Sequence, residues 1–235
     1  MNQKNWTYIP KNGEQILFMH VPKTAGTTLR KLLTQHFRTE DIYPTPIHLL
    51  TSSNKYLRQP ILIENRPDLL KKPLIMGHYN VRLLPHLSPE VKTILFLREP
   101  MARIQSHIKH IISKDAEYAH GDPNQVIEDK FEVLCNLQAR ILGYTKKRPN
   151  LEKVVENLEA ITFIGIQEYF AASIDKLNKK FAWQLEYKQE RNNPSKDNFT
   201  SPISAENLAR IAAYIQPELT VYRRAVEIFN RQLDC

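Results

Sequence analysis

Four short apolar segments alternate with longer segments of helical periodicity along the chain. The apolar segments cover residues Gln15 to Val21, Pro73 to His78, Val91 to Leu97 and Ala160 to Ile166. Each is short and continuous, which is typical of a strand buried on both faces. Between them, apolar residues recur at intervals of three and four, the spacing of amphipathic helices. The alternation predicts an α/β fold in three layers, a mainly parallel sheet flanked by helices, in one domain over residues 1–235.

Helix boundaries are predicted from caps and prolines. A helix over Thr27 to Phe37 follows the first strand, and Pro100 suits the first turn of another. Asp122 and Pro123 are typical of the cap and first residue of a helix that we expect to run to about Leu142. Further helices are expected over residues 150–158 and 168–183, with two more after residue 204, the second beginning at Pro217. Residues 39–72 carry four prolines and predict long loops with one short helix, an insertion expected to shape the substrate site.

Composition and charge narrow the class of protein. The net charge is +8, but the basic residues are dispersed rather than massed in one tract, which argues against nucleic-acid binding. No apolar run reaches the roughly 18 to 20 residues that cross a bilayer, and the polar start lacks the apolar core of a signal peptide. These patterns predict a cytoplasmic protein without a membrane span. No cluster of His, Cys and carboxylate side chains has ligand spacing, so no metal site is predicted.

The two cysteines, Cys135 and Cys235, do not make a disulfide framework. Cys135 lies in a predicted helical stretch and is expected to be a small core residue, whereas Cys235 is the last residue and is expected to be frayed. Glycine is more informative, because only six are present. Two of them, Gly26 and Gly77, lie in the segments that also carry candidate chemistry.

The turn between the first strand and the first helix is a candidate anion site. Unpaired backbone N–H groups and the helix dipole favour negative charge at such a position. Residues 20–28 read His-Val-Pro-Lys-Thr-Ala-Gly-Thr-Thr, so Lys23 adds a positive charge and Gly26 permits a close backbone approach. The order differs from the Walker A motif, in which Lys directly follows the last Gly, because Lys23 precedes Gly26.

The strand over residues 91–97 ends in Arg98, where P-loop kinases usually carry an Asp that helps to hold magnesium. An arginine there is suited to binding an anion directly. Ser106 follows eight residues later, close to two helical turns, so both side chains can face one ligand.

These segments resemble the P-loop sulfotransferases that use 3′-phosphoadenosine-5′-phosphosulfate (PAPS), in particular the family of the heparan sulfate 2-O- and 6-O-sulfotransferases and its soluble bacterial members. The segments over residues 136–140, 163–168 and 218–222 resemble later motifs of that family, so the likeness extends over roughly residues 15 to 230. One departure is Glu99, where many relatives carry Asp. The resemblance implies a sulfotransferase that contacts the 5′-phosphosulfate through Lys23, Thr24, Ala25, Gly26, Thr27 and Thr28, and the 3′-phosphate through Arg98 and Ser106.

The chemistry implied is in-line transfer of a sulfuryl group to a hydroxyl, on a carbohydrate acceptor, with release of adenosine 3′,5′-bisphosphate. Lys23 would stabilise charge on the leaving oxygen, and a histidine is the usual base for the hydroxyl proton. His78 follows Gly77 at the end of a strand, and Gly-His there resembles the element in which the glycan sulfotransferases carry their base. His20 is expected to pack locally, at least one of His107 and His110 to face solvent, and Glu99 is the second candidate for the base.

Several alternatives stay open from the sequence. The acceptor can also be a peptide tyrosine, a glycolipid or a small metabolite. A small-molecule or nucleoside kinase of the same architecture is a rival function, and a non-catalytic module that binds anions or glycans is another. Residues 191–193, Arg-Asn-Asn, are a further candidate for cofactor contacts.

Overall fold

Five parallel strands form the central sheet in the computed structural model, which describes residues 10, 13–45, 58–188 and 199–232. The strands are β1 (Ile16–Met19), β2 (Ile42–Tyr43), β3 (Leu74–Gly77), β4 (Lys92–Leu97) and β5 (Phe163–Ile166). Their order across the sheet is β2-β3-β1-β4-β5. The predicted parallel sheet is therefore confirmed. The sequence did not predict β2, because two residues are too few to show a periodicity.

Helices surround this sheet in the described ranges. They are α1 (Gly26–His36), α2 (Gln59–Asn65), α3 (Pro100–Lys114), α4 (Pro123–Leu134), α5 (Leu137–Ile141), α6 (Leu151–Glu159), α7 (Phe170–Phe181), α8 (Ala205–Tyr214) and α9 (Gln216–Arg231). The short helix expected within residues 39–72 is α2. None of the helices in the described part of the chain is long and apolar enough to cross a membrane.

The strands are apolar throughout because both faces of the sheet are covered. Leu17 and Met19 pack on one side, in a cluster with buried residues of α5, α6 and α9. Ile16 and Phe18 point to the other side, where they pack with residues of α1 and α7. All four side chains are fully buried, so the three-layer prediction is confirmed. A further apolar cluster joins α3, α4 and α8.

The predicted helix over residues 122–142 is wrong in its continuity: it is divided into α4 and α5, and α4 has a kink at Lys130, where φ is -118° and ψ is 16°. Its start is as expected, since the Asp122 carboxylate accepts a hydrogen bond of 2.9 Å from the N–H of Asn124. It ends at Leu134, and Asn136 has a left-handed backbone with φ of 54°. The Asn136 side chain donates to the carbonyl of Tyr214 and accepts from the N–H of Glu218, so contacts with α8 and α9 favour the break. Cys135 lies at this break and is buried as predicted.

The carboxyl ends of the central strands meet at one edge of the sheet. Met19 of β1 is in register with Gly77 of β3, and the N–H of His20 donates to the carbonyl of Gly77 over 2.8 Å. β4 continues to Leu97, two residues past the partner of Met19. The residues that follow these strands are therefore neighbours, at the edge where open parallel sheets bind ligands.

Candidate anion-binding site

A cavity of about 640 Å³ opens at this edge. The turn before α1 and the first residues of α1 contribute Pro22, Lys23, Ala25, Gly26, Thr27 and Thr28 to its wall. His78 and Arg98, which follow β3 and β4, line it from the sheet, and Ser106 lines it from α3. Of the residues expected to contact the donor or to act as the first-choice base, the fold thus brings all but Thr24 to one cavity.

Thr24 has a different position from the one expected. Its side chain is fully buried, and its hydroxyl donates a hydrogen bond of 2.9 Å to the carbonyl of Val21. That bond closes the turn between β1 and α1. The hydroxyl is therefore occupied within the turn, and the contribution of Thr24 is to the shape of the turn.

The turn has an unusual backbone. Lys23 and Ala25 both have positive φ, 70° and 61°. Residues other than glycine adopt this left-handed region of the backbone only at a cost of roughly 1 to 2 kcal/mol. Ala25 is the N-cap of α1, and its carbonyl accepts from the N–H groups of Thr28 and Leu29. The first N–H groups of a helix have no acceptor within the helix, and here the first helical residues line the cavity.

Gly26 is needed for a reason that the sequence did not predict. A β-carbon at this position would lie 1.9 Å from Cδ2 of the His20 ring. His20 is buried, as expected for a locally packed residue, and desolvation together with the charge of His78 lowers its pKa to about 3. A neutral ring therefore fills the space beneath the start of α1.

His78 is oriented by the main chain. Its Nδ1 atom lies 2.7 Å from the carbonyl oxygen of His20, and its ring stacks on the His20 ring with 4.7 Å between centroids. A carbonyl oxygen can only accept, so Nδ1 carries the hydrogen and the unprotonated nitrogen of the neutral ring is Nε2. Desolvation lowers the pKa of His78, and the hydrogen bond to His20 partly opposes this. His78 is therefore neutral at physiological pH, as a general base has to be.

Arg98 connects the turn between β1 and α1 to the other side of the cavity. Its Nη1 donates to the carbonyl of Lys23 over 3.3 Å. Its Nε is buried, and no acceptor for it lies among the described residues. Desolvation lowers the pKa of Lys23, and the neighbouring Arg98 charge lowers it further. Desolvation also lowers the pKa of Arg98, and the charges of Glu168 and Glu99 partly oppose this.

The described wall of the cavity carries positive charges and no carboxylate. Three permanent cations line it, Lys23, Arg30 and Arg98, and none of the described lining residues is Asp or Glu. Glu99, the second candidate for a base, is the N-cap of α3, where its carboxylate accepts from the N–H groups of Met101 at 3.0 Å and Ala102 at 2.6 Å. It does not line the cavity. The cavity is therefore suited to anions.

Outside the turn over residues 20–28, four lining residues were not predicted as site residues: Arg30, His107, His110 and Gln167. Arg30 lies four residues after Gly26 on the same helix, a spacing that would have placed it on the same face. His107 is half-buried, and desolvation together with the Arg103 charge lowers its pKa to about 4. His110 is exposed, in agreement with the expectation for one of this pair. Gln167 lies in the segment over residues 163–168 that resembles a later motif of the family, but no contact was predicted for it.

Two further expectations concern ligands. Among the described ranges, no group of three His, Cys, Asp or Glu residues could hold a metal ion. Residues 191–193, the additional candidate for cofactor contacts, lie outside the described residues.

Comparison with known protein families and with characterised proteins finds no match to this chain. Fold and cavity define the class: a three-layer α/β protein with a cationic cavity at the carboxyl edge of a parallel sheet.

Proposed function

We propose that this protein is a sulfotransferase that moves a sulfuryl group from PAPS to a hydroxyl group on a carbohydrate acceptor. One observation carries the proposal: Lys23, Arg98, Ser106 and His78 line a single cavity whose described wall contains no carboxylate. Cations beside the start of a helix suit an anionic donor, and a neutral histidine in the same cavity suits a hydroxyl acceptor.

We expect a donor with two anionic groups. One set of contacts would be made by Lys23 and the start of α1, and the other by Arg98 and Ser106, all of which line the cavity. The buried Nε of Arg98 has no acceptor among the described residues, which is a costly arrangement unless a ligand supplies one. A nucleotide with phosphate on both its 3′ and 5′ positions satisfies both sets. A magnesium-dependent kinase fits less well, because Arg98 stands where the metal-holding Asp is usual.

The roles of the residues follow from their positions. PAPS, when bound, supplies a sulfuryl group with a stable phosphate as leaving group. Lys23 and the N–H groups at the start of α1 stabilise the negative charge that grows on the bridging oxygen as the S–O bond breaks. His78 accepts the proton of the acceptor hydroxyl at Nε2 while the new O–S bond forms. Most of the catalysis is then positioning and charge stabilisation, as in phosphoryl transfer.

The carbohydrate acceptor and a cytoplasmic location are parts of the proposal that rest on the sequence. A screen of hydroxyl acceptors with a labelled sulfate donor tests the first, with glycans, tyrosine peptides, glycolipids and small metabolites as its arms. Transfer to one of the other three classes alone would replace the carbohydrate part of the proposal.

Isothermal titration tests the donor. We expect adenosine 3′,5′-bisphosphate to bind more tightly than ATP with magnesium, and the Lys23→Met variant to weaken that binding. Tighter binding of ATP with magnesium would overturn the proposal in favour of a kinase. Binding of the bisphosphate without transfer to any acceptor in the screen would favour a non-catalytic module.

A further inference from the structure

Gln138 holds the main chain of Arg98 at both of its polar groups. The side-chain oxygen of Gln138 accepts from the N–H of Arg98 over 2.8 Å, and the side-chain nitrogen donates to the carbonyl of Arg98 over 2.8 Å. Gln138 is fully buried, so these bonds are shielded from competing water. An amide is the neutral side chain that can donate and accept in this paired way.

Arg98 depends on this contact because it lies beyond the regular sheet. β4 ends at Leu97, so the ladder no longer fixes the backbone at the next residue. The direction in which the guanidinium enters the cavity is set by that backbone and by the bond from Nη1 to the carbonyl of Lys23. A change in the backbone of Arg98 would therefore move its side chain relative to the turn between β1 and α1.

Gln138 is itself fixed by buried contacts. Its N–H donates to a carboxylate oxygen of Glu218 over 3.3 Å, and the same oxygen accepts from Nε of Arg103 over 2.8 Å. Both members of this ion pair are fully buried. The chain of contacts runs from α9 through Glu218 to α5, and from α5 through Gln138 to Arg98. The main chain of Arg98 is thus supported by two helices, α5 and α9, that contribute no residue to the cavity wall.

We propose that Gln138 is a positioning residue that aims Arg98 at the second anionic group of the ligand and so sets the preference for a 3′-phosphorylated nucleotide. This inference rests on the proposed function. Gln138 does not line the cavity, so its effect on binding has to pass through Arg98.

The test compares two ligands that differ only in the 3′-phosphate, adenosine 3′,5′-bisphosphate and adenosine 5′-phosphate. The Gln138→Met variant keeps the length of the side chain and removes both bonds. We expect the affinity ratio of the two ligands to fall about tenfold, the effect of losing roughly one well-placed hydrogen bond. The matched control is Gln125→Met, at an exposed position of α4, which should leave the ratio unchanged.

A double-mutant cycle separates this role from a general loss of structure. In an Arg98→Ala background, Gln138→Met should no longer change the ratio, because the residue that it positions is gone. An equal change with and without Arg98 would overturn the inference, as would an unchanged ratio in a folded Gln138→Met variant. If Gln138→Met does not fold, Gln138→Asn gives the same reading, since it stays neutral at this buried position and its shorter side chain cannot keep both bonds to the main chain of Arg98.

The wild-type protein distinguishes the two proposals. A wild-type chain that binds both ligands equally contradicts the role of Arg98 in the proposed function, and Gln138 then has no preference to set. A wild-type preference for the bisphosphate that survives Gln138→Met contradicts only the inference about Gln138.

Discussion

The ring of His20 lies where a side chain on residue 26 would have to be. A β-carbon on Gly26 would come within 1.9 Å of Cδ2 and 2.2 Å of Nε2 of that ring. Since His20 also stacks on His78, the glycine, the buried ring and the candidate base form one packed unit. A substitution at one of these three residues should therefore shift the positions of the other two.

Gly26→Ala should lower the free energy of unfolding by roughly 1 to 3 kcal/mol, the usual cost of an overpacked site, and weaken nucleotide binding as the turn shifts. Urea unfolding and calorimetry measure the two effects. Removing the His20 imidazole should leave space for the new methyl group. Gly26→Ala should therefore lower the free energy of unfolding much less in a His20→Ala background. Equal costs in the two backgrounds would show that the ring is not the obstacle.

The pH dependence of turnover tests His78. An unperturbed imidazole is about half protonated near pH 6.5, and desolvation lowers the pKa of His78, so the neutral base persists to lower pH. The acid limb of kcat/KM should therefore lie below pH 6.5, with the rate lost as pH falls through it. His78→Ala should abolish turnover and largely spare binding of adenosine 3′,5′-bisphosphate. Full activity in that variant would remove His78 as the base, and the exposed His86→Ala is the control.

Lys23→Met tests charge stabilisation at the leaving oxygen. We expect kcat to fall about 10²- to 10³-fold, the range seen when one group that stabilises a developing charge is removed. Lys114→Met, which removes an exposed charge at the far end of α3, should leave kcat unchanged. Similar losses in the two variants would point to the overall charge rather than to the position of Lys23.

The ion pair between Arg103 and Glu218 should be important for stability. Both side chains are fully buried, and removing one partner leaves an uncompensated charge. Glu218→Gln should therefore lower the free energy of unfolding by about 3 kcal/mol, measured with urea. The exposed pair of Lys153 and Glu156 is the control, where Glu156→Gln should cost at most about 1 kcal/mol.

Stability should fall in acid because buried histidines resist protonation, His20 and His107 most strongly. His20 has a folded pKa of about 3 and His107 of about 4, both below the ordinary 6.5. As the pH falls, these histidines are protonated in the unfolded chain before they are protonated in the folded protein. Their contribution to the free energy of unfolding is therefore complete above pH 6.5 and is lost as the pH falls towards their folded pKa values. Each ring contributes on the order of 2 kcal/mol of this loss between pH 7 and pH 5. The free energy of unfolding, measured with urea at pH 7 and at pH 5, should differ less between the two pH values in His107→Leu than in the wild type. The control His86→Leu should show the wild-type difference.

Much of the fold could be predicted from the sequence because the patterns that indicate strands and helices lie within short segments of the chain. Four of the five strands are continuous apolar runs, and most helices have apolar residues at helical spacing. The cap at Asp122 and the proline at the start of α9 were likewise visible in a few residues. The break at Asn136 was not, since it depends on hydrogen bonds to Tyr214 and Glu218, about eighty residues away.

The sequence by itself determined which chemical groups the site could contain: Lys23 before Gly26, Arg98 at the end of a strand, and a histidine after Gly77. Only the tertiary structure decided which of them share a cavity. It turned the Thr24 hydroxyl towards Val21 and the Glu99 carboxylate towards the start of α3. It also brought the Gln138 side chain into contact with the main chain of Arg98, and the Glu218 carboxylate into contact with the N–H of Gln138. The physical reason is that the direction of a side chain depends on the hydrogen bonds and packing partners that distant segments supply.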